Sequence, residues 1–343
     1  MPTWRRRETT CSSSSTRTVF PPWPRWSASA EMDRLRASLG IAALLAAAAV
    51  LLDASGAVAG GRWGAEYFPN VPLTTQDGTV VRFYDDLLKG KAVVINLIYT
   101  RCTASCPLET AKLAQVQRLL GDRVGKDVFF YSISIDPTHD TPEALKAYAE
   151  RFHVGPGWLF LTGKDEDVRL VSKKLGLSSP TDAVTRDGHQ PALMVGNEAT
   201  GEWMRNSAVE NPKFLAAMMS DFFGWRTGKS VRTYAKPVAV PPTGKGEYLF
   251  NTRCASCHTI GKGDGLGPDL VHATAVRERA WLTRYVAEPD QMLAEGDPLA
   301  LALFAKYKSV RMPNLGLNSE EVDAILAHLE QRSRAALEQV HKR

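Results

Sequence analysis

Residues 92–98, Ala-Val-Val-Ile-Asn-Leu-Ile, lead directly into Tyr99-Thr100-Arg101-Cys102-Thr103-Ala104-Ser105-Cys106-Pro107. The run is short, rich in β-branched residues and bounded by Lys91 and Thr100, so it reads as a buried strand. From 107 to 120, Leu108, Ala111, Leu113, Ala114, Val116 and Leu119 recur at helical spacing. Two thiols therefore sit where a strand turns into a helix. Backbone N–H groups and the positive end of the helix dipole stabilise a thiolate there. The C-x-x-x-C spacing sets the second sulfur about a helical turn from the first, which permits a disulfide and equally lets both sulfurs point at one metal ion.

A length of 343 residues suggests two domains, and 44% hydrophobic residues fit packed cores. The five cysteines are Cys11, the Cys102/Cys106 pair and a Cys254/Cys257 pair followed by His258. Near the N-terminus, Met32-Asp33-Arg34-Leu35-Arg36 precedes an apolar run over 39–52 and then Ala57-Val58-Ala59, the order of a secretory signal peptide. We expect residues 1–59 to be a leader, with 32–59 the signal and 1–31 (rich in Ser, Arg, Pro and Trp, without periodicity) the product of a mis-assigned start. The apolar run is shorter than the roughly 20 residues a membrane helix needs. Membrane association through an uncleaved segment is the alternative to release. The leader carries seven basic and four acidic residues, so removing it lowers the formal charge of +5 by three. Nothing in the chain points to nucleic acid. The expected location is outside the cytoplasmic membrane: periplasmic, or on the membrane's outer face.

From residue 60 to 225 the pattern is α/β. Strands are expected at 79–83, 92–99, 128–135, 158–161, 192–195 and 202–205, with helices at 107–120, from 140 to 152, at 165–175 and at 211–223. A strand–C-x-x-x-C–helix–strand start with a late hairpin and a last helix suggests a thioredoxin-like layered fold. Residues 226–243 are basic, bear Pro237, Pro241 and Pro242, and read as a linker. Beyond it, over 244–332, the pattern is all-α, with helices at 247–252, 278–288 and 299–307. A last helix is capped by Asn318, with Val322, Ile325, Leu326 and Leu329 on one face. Residues 333–343 read as a charged, frayed tail.

Cys254-Ala255-Ser256-Cys257-His258 is C-x-x-C-H, the covalent haem attachment signature. Two thiols at i and i+3 on one turn add to the two vinyl groups, and the adjacent His258 reaches the iron. Met312, in Arg311-Met312-Pro313, is the expected sixth ligand; Met292 is its competitor and lies in an acidic, loop-like stretch. Residues 244–331 resemble the small class I cytochromes c, Gly267-Pro268-Asp269-Leu270 included. The resemblance implies one covalent haem c and a Pro268 carbonyl that accepts the Nδ1–H of His258 and fixes its tautomer.

Residues 67–223 resemble the Sco/SenC family, thioredoxin-fold proteins that handle copper for assembly of cytochrome c oxidase. The resemblance is carried by Tyr99-Thr100-x-Cys102-x-x-x-Cys106-Pro107, by Ser132-Ile133-Ser134-Ile135-Asp136-Pro137-x-x-Asp140-Thr141-Pro142-Glu143, and by His189 ahead of the strand at 192–195. It implies one copper ion held by Cys102, Cys106 and His189. On the residues alone His189 reads as a surface-loop histidine. Gly188 stands where an aspartate is common in the family, leaving Asp187 as the nearby carboxylate. Two soft thiolates favour Cu(I), an imidazole tolerates Cu(II), and three ligands suffice for either. Structural zinc would want a fourth protein ligand. Asp136 and Asp140 read as loop and cap residues, and His139 and His153 as loop and helix-end residues.

Three functions compete. The first is a copper-binding redox metallochaperone that serves the copper subunit of cytochrome c oxidase, with the haem as one-electron relay. The second is an exported haem-coupled thiol–disulfide oxidoreductase whose Cys102/Cys106 pair reduces cysteines in another exported redox protein with electrons from the haem. The third is a plain electron carrier whose α/β domain only docks a partner. A dithiol exchanges two electrons while copper and a c-type haem exchange one each, and that match favours the first.

Overall fold

The computed structural model describes residues 63–178, 191–225 and 244–341. The expected leader, the linker at 226–243, and Asp187, Gly188 and His189 lie outside the described residues. Among the described residues no helix is long and apolar enough to cross a membrane.

Among the described residues seven strands form one sheet: β1 (Pro72–Thr75), β2 (Val80–Arg82), β3 (Ala92–Ile98), β4 (Phe129–Ser134), β5 (Trp158–Thr162), β6 (Ala192–Asn197) and β7 (Glu202–Ser207). Their order is β2-β1-β5-β4-β3-β6-β7. The three central strands β3, β4 and β5 run parallel, while β1, β6 and β7 are antiparallel to their neighbours. Parallel strands need crossover helices. Here α1 (Cys106–Leu120) joins β3 to β4, and α2 (Pro142–Arg151) joins β4 to β5. Helices α3 (Asp165–Lys174) and α4 (Pro212–Phe222) complete the layers.

Strand β3 carries apolar residues on both faces because it is covered on both. Val93, Ile95 and Leu97 join Tyr131, Ile133 and Leu161 in one core. Val94 and Ile98 join Phe130, Phe160, Leu193 and Val195 in the other, beneath α1, α2 and α4. Burying each large apolar side chain contributes about 1.5–3 kcal/mol. These paired cores make the α/β region a thioredoxin-like domain.

Three helix starts, those at 142, 212 and 298, share one local pattern, a capping side chain and then proline in the first turn. Thr141 Oγ1 accepts the Ala144 N–H at 3.3 Å, Asn211 Oδ1 accepts the Lys213 N–H at 2.9 Å, and Asp297 Oδ1 accepts the Ala300 N–H at 2.8 Å. The cap of α2 is therefore Thr141, and Asp140 is buried and faces inward instead of capping. The strand expected over 79–83 is shorter, because Phe83–Leu88 coils into a wide π-helical turn that buries Phe83, Tyr84, Leu87 and Leu88.

From 244 onward the described residues hold no strand, only an isolated bridge between Thr259 and Asp269. The helices are α5 (Lys245–Leu249), α6 (Ala273–Val276), α7 (Arg279–Ala287), α8 (Pro289–Ala294), α9 (Pro298–Lys306) and α10 (Ser319–His341). Asn318 and Glu321 cap α10 reciprocally: Oδ1 of Asn318 accepts the Glu321 N–H at 3.0 Å and Oε2 of Glu321 accepts the Asn318 N–H at 3.0 Å. The residues expected to form a frayed tail instead continue this helix to His341. Buried Ser333 and the packing of Ala336 beside Gly261 give the extra turns a surface to lie on. Met292, expected in a loop, is buried in α8.

The β6–β7 hairpin sets Gly196 directly opposite Trp203. A Cβ on Gly196 would stand 2.1 Å from the Trp203 ring. Gly196→Ala should therefore cost about 1–3 kcal/mol as overpacking, read as a lowered denaturant midpoint with unchanged slope.

Candidate thiol and haem centres

The thiol loop is pinned from the end of β4. Asp140, inside the domain, accepts the Thr100 N–H at 3.1 Å, the Thr100 hydroxyl at 2.5 Å and the Ser134 hydroxyl at 2.5 Å. Asp136, buried also, holds Arg101 at 3.0 Å, and His139 Nδ1 lies 2.9 Å from its other oxygen. The S-x-D-x-x-x-D segment thus fixes both residues ahead of Cys102.

Helix α1 begins at Cys106 with Ser105 as its cap residue, yet the Ser105 side chain makes no capping bond. Its hydroxyl donates instead to Glu109 Oε1 at 2.7 Å. The backbone N–H groups of Ala104 and Cys106, on either side of Ser105, face the Cys102 sulfur. The Cys106 S–H, above all, and the backbone N–H groups of Cys106 and Ala104 lower the Cys102 pKa. Burial pushes the Cys106 thiol well up, reinforced by the hydrogen bond it gives to Cys102. The sequence suggested thiolate stabilisation at the helix start without distinguishing the two sulfurs; the structure confines it to Cys102. The result is a thiolate-prone sulfur beside a protonated one, both buried.

Behind them runs a polar chain that the sequence did not reveal. Trp158 Nε1 donates to Ser132 Oγ at 2.9 Å, Ser132 Oγ donates to Asn96 Oδ1 at 2.7 Å, and Asn96 Nδ2 reaches Glu109 Oε2 at 3.4 Å. Burial raises the Glu109 pKa from 4.5 to about 8. Asn96 inside an apolar strand and Glu109 on a buried helix face were the only sequence signs of it. Among the described residues no cluster of three or more His, Cys, Asp or Glu side chains could hold a metal ion. Cys102 and Cys106 come together as expected, and His189 lies outside the described residues.

In the helical region, Cys254, Cys257, His258 and Met312 line one cavity of about 240 Å³, whose walls include Phe250, Leu282, Leu326 and Leu329. Met292 does not line it. The Pro268 carbonyl accepts from His258 Nδ1 at 2.9 Å, which orients the ring for metal binding through Nε2, and burial lowers the His258 pKa. Asp269 folds the intervening loop by accepting the N–H groups of Gly261, Gly263 and Val271 at 2.8, 2.6 and 2.9 Å. Gly267 backs onto the imidazole so closely that a Cβ would lie 2.6 Å from its Cε1. Two thiols, an oriented imidazole, a thioether and an apolar wall fit an attached haem.

A thioredoxin-like domain with a paired-thiol loop, followed by a helical domain built around a C-x-x-C-H segment, defines the class. The SCO1/SenC family model matches residues 65–192 and the cytochrome c family model residues 244–333. The chain accordingly carries an SCO1/SenC domain followed by a cytochrome c domain, which implies covalent haem c. A SCO2-like protein of Rickettsia conorii is 34% identical over 102 residues, 30% of this chain and 47% of that protein. The chain spans about half the length of the first curated relatives it matches. Bradyrhizobium japonicum ScoI, solved with copper bound, is 27% identical with a TM-score of 0.37, over 45% of this chain and 99% of that one. The cytochrome c domain of a Pseudomonas putida protein is 47% identical with a TM-score of 0.25, over 26% of this chain and 88% of that one.

Two predictions follow from the site geometry. Gly267→Ala should displace the His258 ring and lower the fraction of chains with normal haem ligation, read from the absorption spectrum of purified protein. For Glu109, a folded-state pKa of about 8 above the ordinary 4.5 means that its contribution is full below pH 4.5 and is lost as pH rises through 8. Glu109→Gln, neutral at every pH, should flatten the fall in melting temperature from pH 5 to 9, with a relative gain on the order of a few kcal/mol.

Proposed function

We propose that the protein is an exported copper-binding redox metallochaperone. It would serve assembly of the copper centre of cytochrome c oxidase, with its haem as a one-electron relay. The observation that carries this is the contacting Cys102–Cys106 pair in an SCO1/SenC domain that shares a chain with a cytochrome c domain. Two soft sulfur donors in contact suit Cu(I), and His189 is the third donor proposed. In the haem domain Cys254 and Cys257 take the thioether bonds, while His258 and Met312 take the axial positions. The partner proposed is the copper subunit of the oxidase, met outside the cytoplasmic membrane.

One observation favours a second reading. A low-pKa sulfur receiving a hydrogen bond from a buried, protonated one is also how a nucleophilic and a resolving thiol are arranged. Copper titration of the whole chain under chelator competition, wild type beside His189→Ala and Cys106→Ser, separates the two. The copper reading expects one ion per chain, with affinity falling in each variant by more than the about 10–100-fold that loss of an outer partner costs. Weak binding unaffected by His189→Ala, with a readily reduced Cys102–Cys106 disulfide, would establish the oxidoreductase instead.

A further inference from the structure

The thiol loop and the haem-holding loop touch. The N–H of Asn314, two residues past Met312, donates to the carbonyl of Thr103, the residue after Cys102, at 2.7 Å. Gln115 Nε2 on α1 donates to the carbonyl of Ser256, between Cys254 and Cys257, at 3.2 Å. Cys257, Leu266 and Val310 pack against the core beneath α1. Leu108, in the first turn of the same helix, lines the cavity that takes the haem.

Asn314 is held in place for this contact. Its Nδ2 donates to Asp290 Oδ1 at 2.8 Å and its Oδ1 accepts the Gly316 N–H at 3.0 Å. The side chain thus fixes the loop on the haem side while the backbone N–H is presented to the thiol side. From Met312 to Cys102 the route runs through Pro313, the Asn314 N–H, the Thr103 carbonyl and the Thr103 backbone. Every link is a covalent bond except that single hydrogen bond. Electronic coupling decays more slowly along bonds and hydrogen bonds than across open gaps, so this route outcompetes a jump through space.

We infer that the Asn314–Thr103 hydrogen bond is the contact through which an electron passes between the haem-holding loop and the Cys102–Cys106 site. Gln115 and Leu108 keep the two surfaces in register. The inference rests on the metallochaperone reading and specifies its electron route. One electron leaves Fe(II), which becomes Fe(III), and enters Cu(II) at the thiol site, which becomes Cu(I); no proton moves and no bond breaks. Asn314 acts through its backbone, as a positioning residue.

The test uses the whole haem-loaded chain, reduced and then mixed with excess Cu(II) in a stopped-flow instrument, with haem absorbance as the signal. Wild type should oxidise in a first-order phase whose rate is independent of protein concentration. Asn314→Ala keeps the backbone donor but loses the side-chain ties to Asp290 and Gly316, so it should slow the phase only about twofold, whereas Asn314→Pro lacks the donor as well and should slow it about tenfold. A haem spectrum and melting temperature close to wild type will show that the proline variant is folded. If it is not, Gln115→Glu, which sets a carboxylate against the Ser256 carbonyl, should slow the same phase. In the copper-free chain the Asn314 amide should exchange slowly with solvent, a readout independent of copper. An unprotected Asn314 amide, equal rates in all variants, or equal slowing by alanine and proline would overturn the inference while leaving the copper reading intact. Failure of the chain to bind copper would remove the metallochaperone reading, and this inference with it.

Discussion

The buried carboxylate of Asp140 is the constraint on which the thiol site depends. It ties the Thr100 N–H and hydroxyl, just beyond β3, to the Ser134 hydroxyl at the end of β4. Without it two parallel strands would end beside each other with their loops free, and Cys102 would have no fixed relation to the start of α1. A buried carboxylate is costly unless its oxygens are satisfied, and here three donors converge on it. The second carboxylate, Asp136, repeats the device on Arg101. The loop that carries Cys102 is thus hung from a rigid frame on its β3 side.

The opposite proton affinities of the two thiols follow from the same frame. The Ser105 hydroxyl is drawn to Glu109, and the N–H groups of Ala104 and Cys106 turn to Cys102. Cys106, one position into the helix and fully enclosed, keeps its proton. A metal that takes both sulfurs must displace that proton, so binding releases it and strengthens as pH rises. Closing a disulfide would release it as well. The site is therefore poised for either chemistry, and what distinguishes them is a third donor from outside the loop.

Much of this was legible in the sequence, for identifiable reasons. The β3 run and the C-x-x-x-C-P turn announced themselves because a strand buried on both faces must be apolar throughout. The C-x-x-C-H segment and the Pro268 carbonyl were legible because haem attachment allows few other arrangements, and Met312 lines the same cavity. Less visible were features that depend on what packs from afar. Asp140 looked like a helix cap because it precedes Thr-Pro, and only the position of Thr100 shows why it turns inward. Glu109 looked like an ordinary first-turn acid because its burial is imposed by the sheet and by α1's neighbours. The end of α10 looked frayed because its contact, the loop at Gly261, lies some seventy residues earlier in the chain.

The contact between the two domains has a consequence for how such a chain works. A haem in a free cytochrome meets its partner by diffusion and must leave an edge open for it. Here Leu108 closes part of the haem cavity from the SCO1/SenC side, and Gln115 holds the attachment segment against α1. The Asn314–Thr103 hydrogen bond ties the residue after Cys102 to a point two residues past Met312.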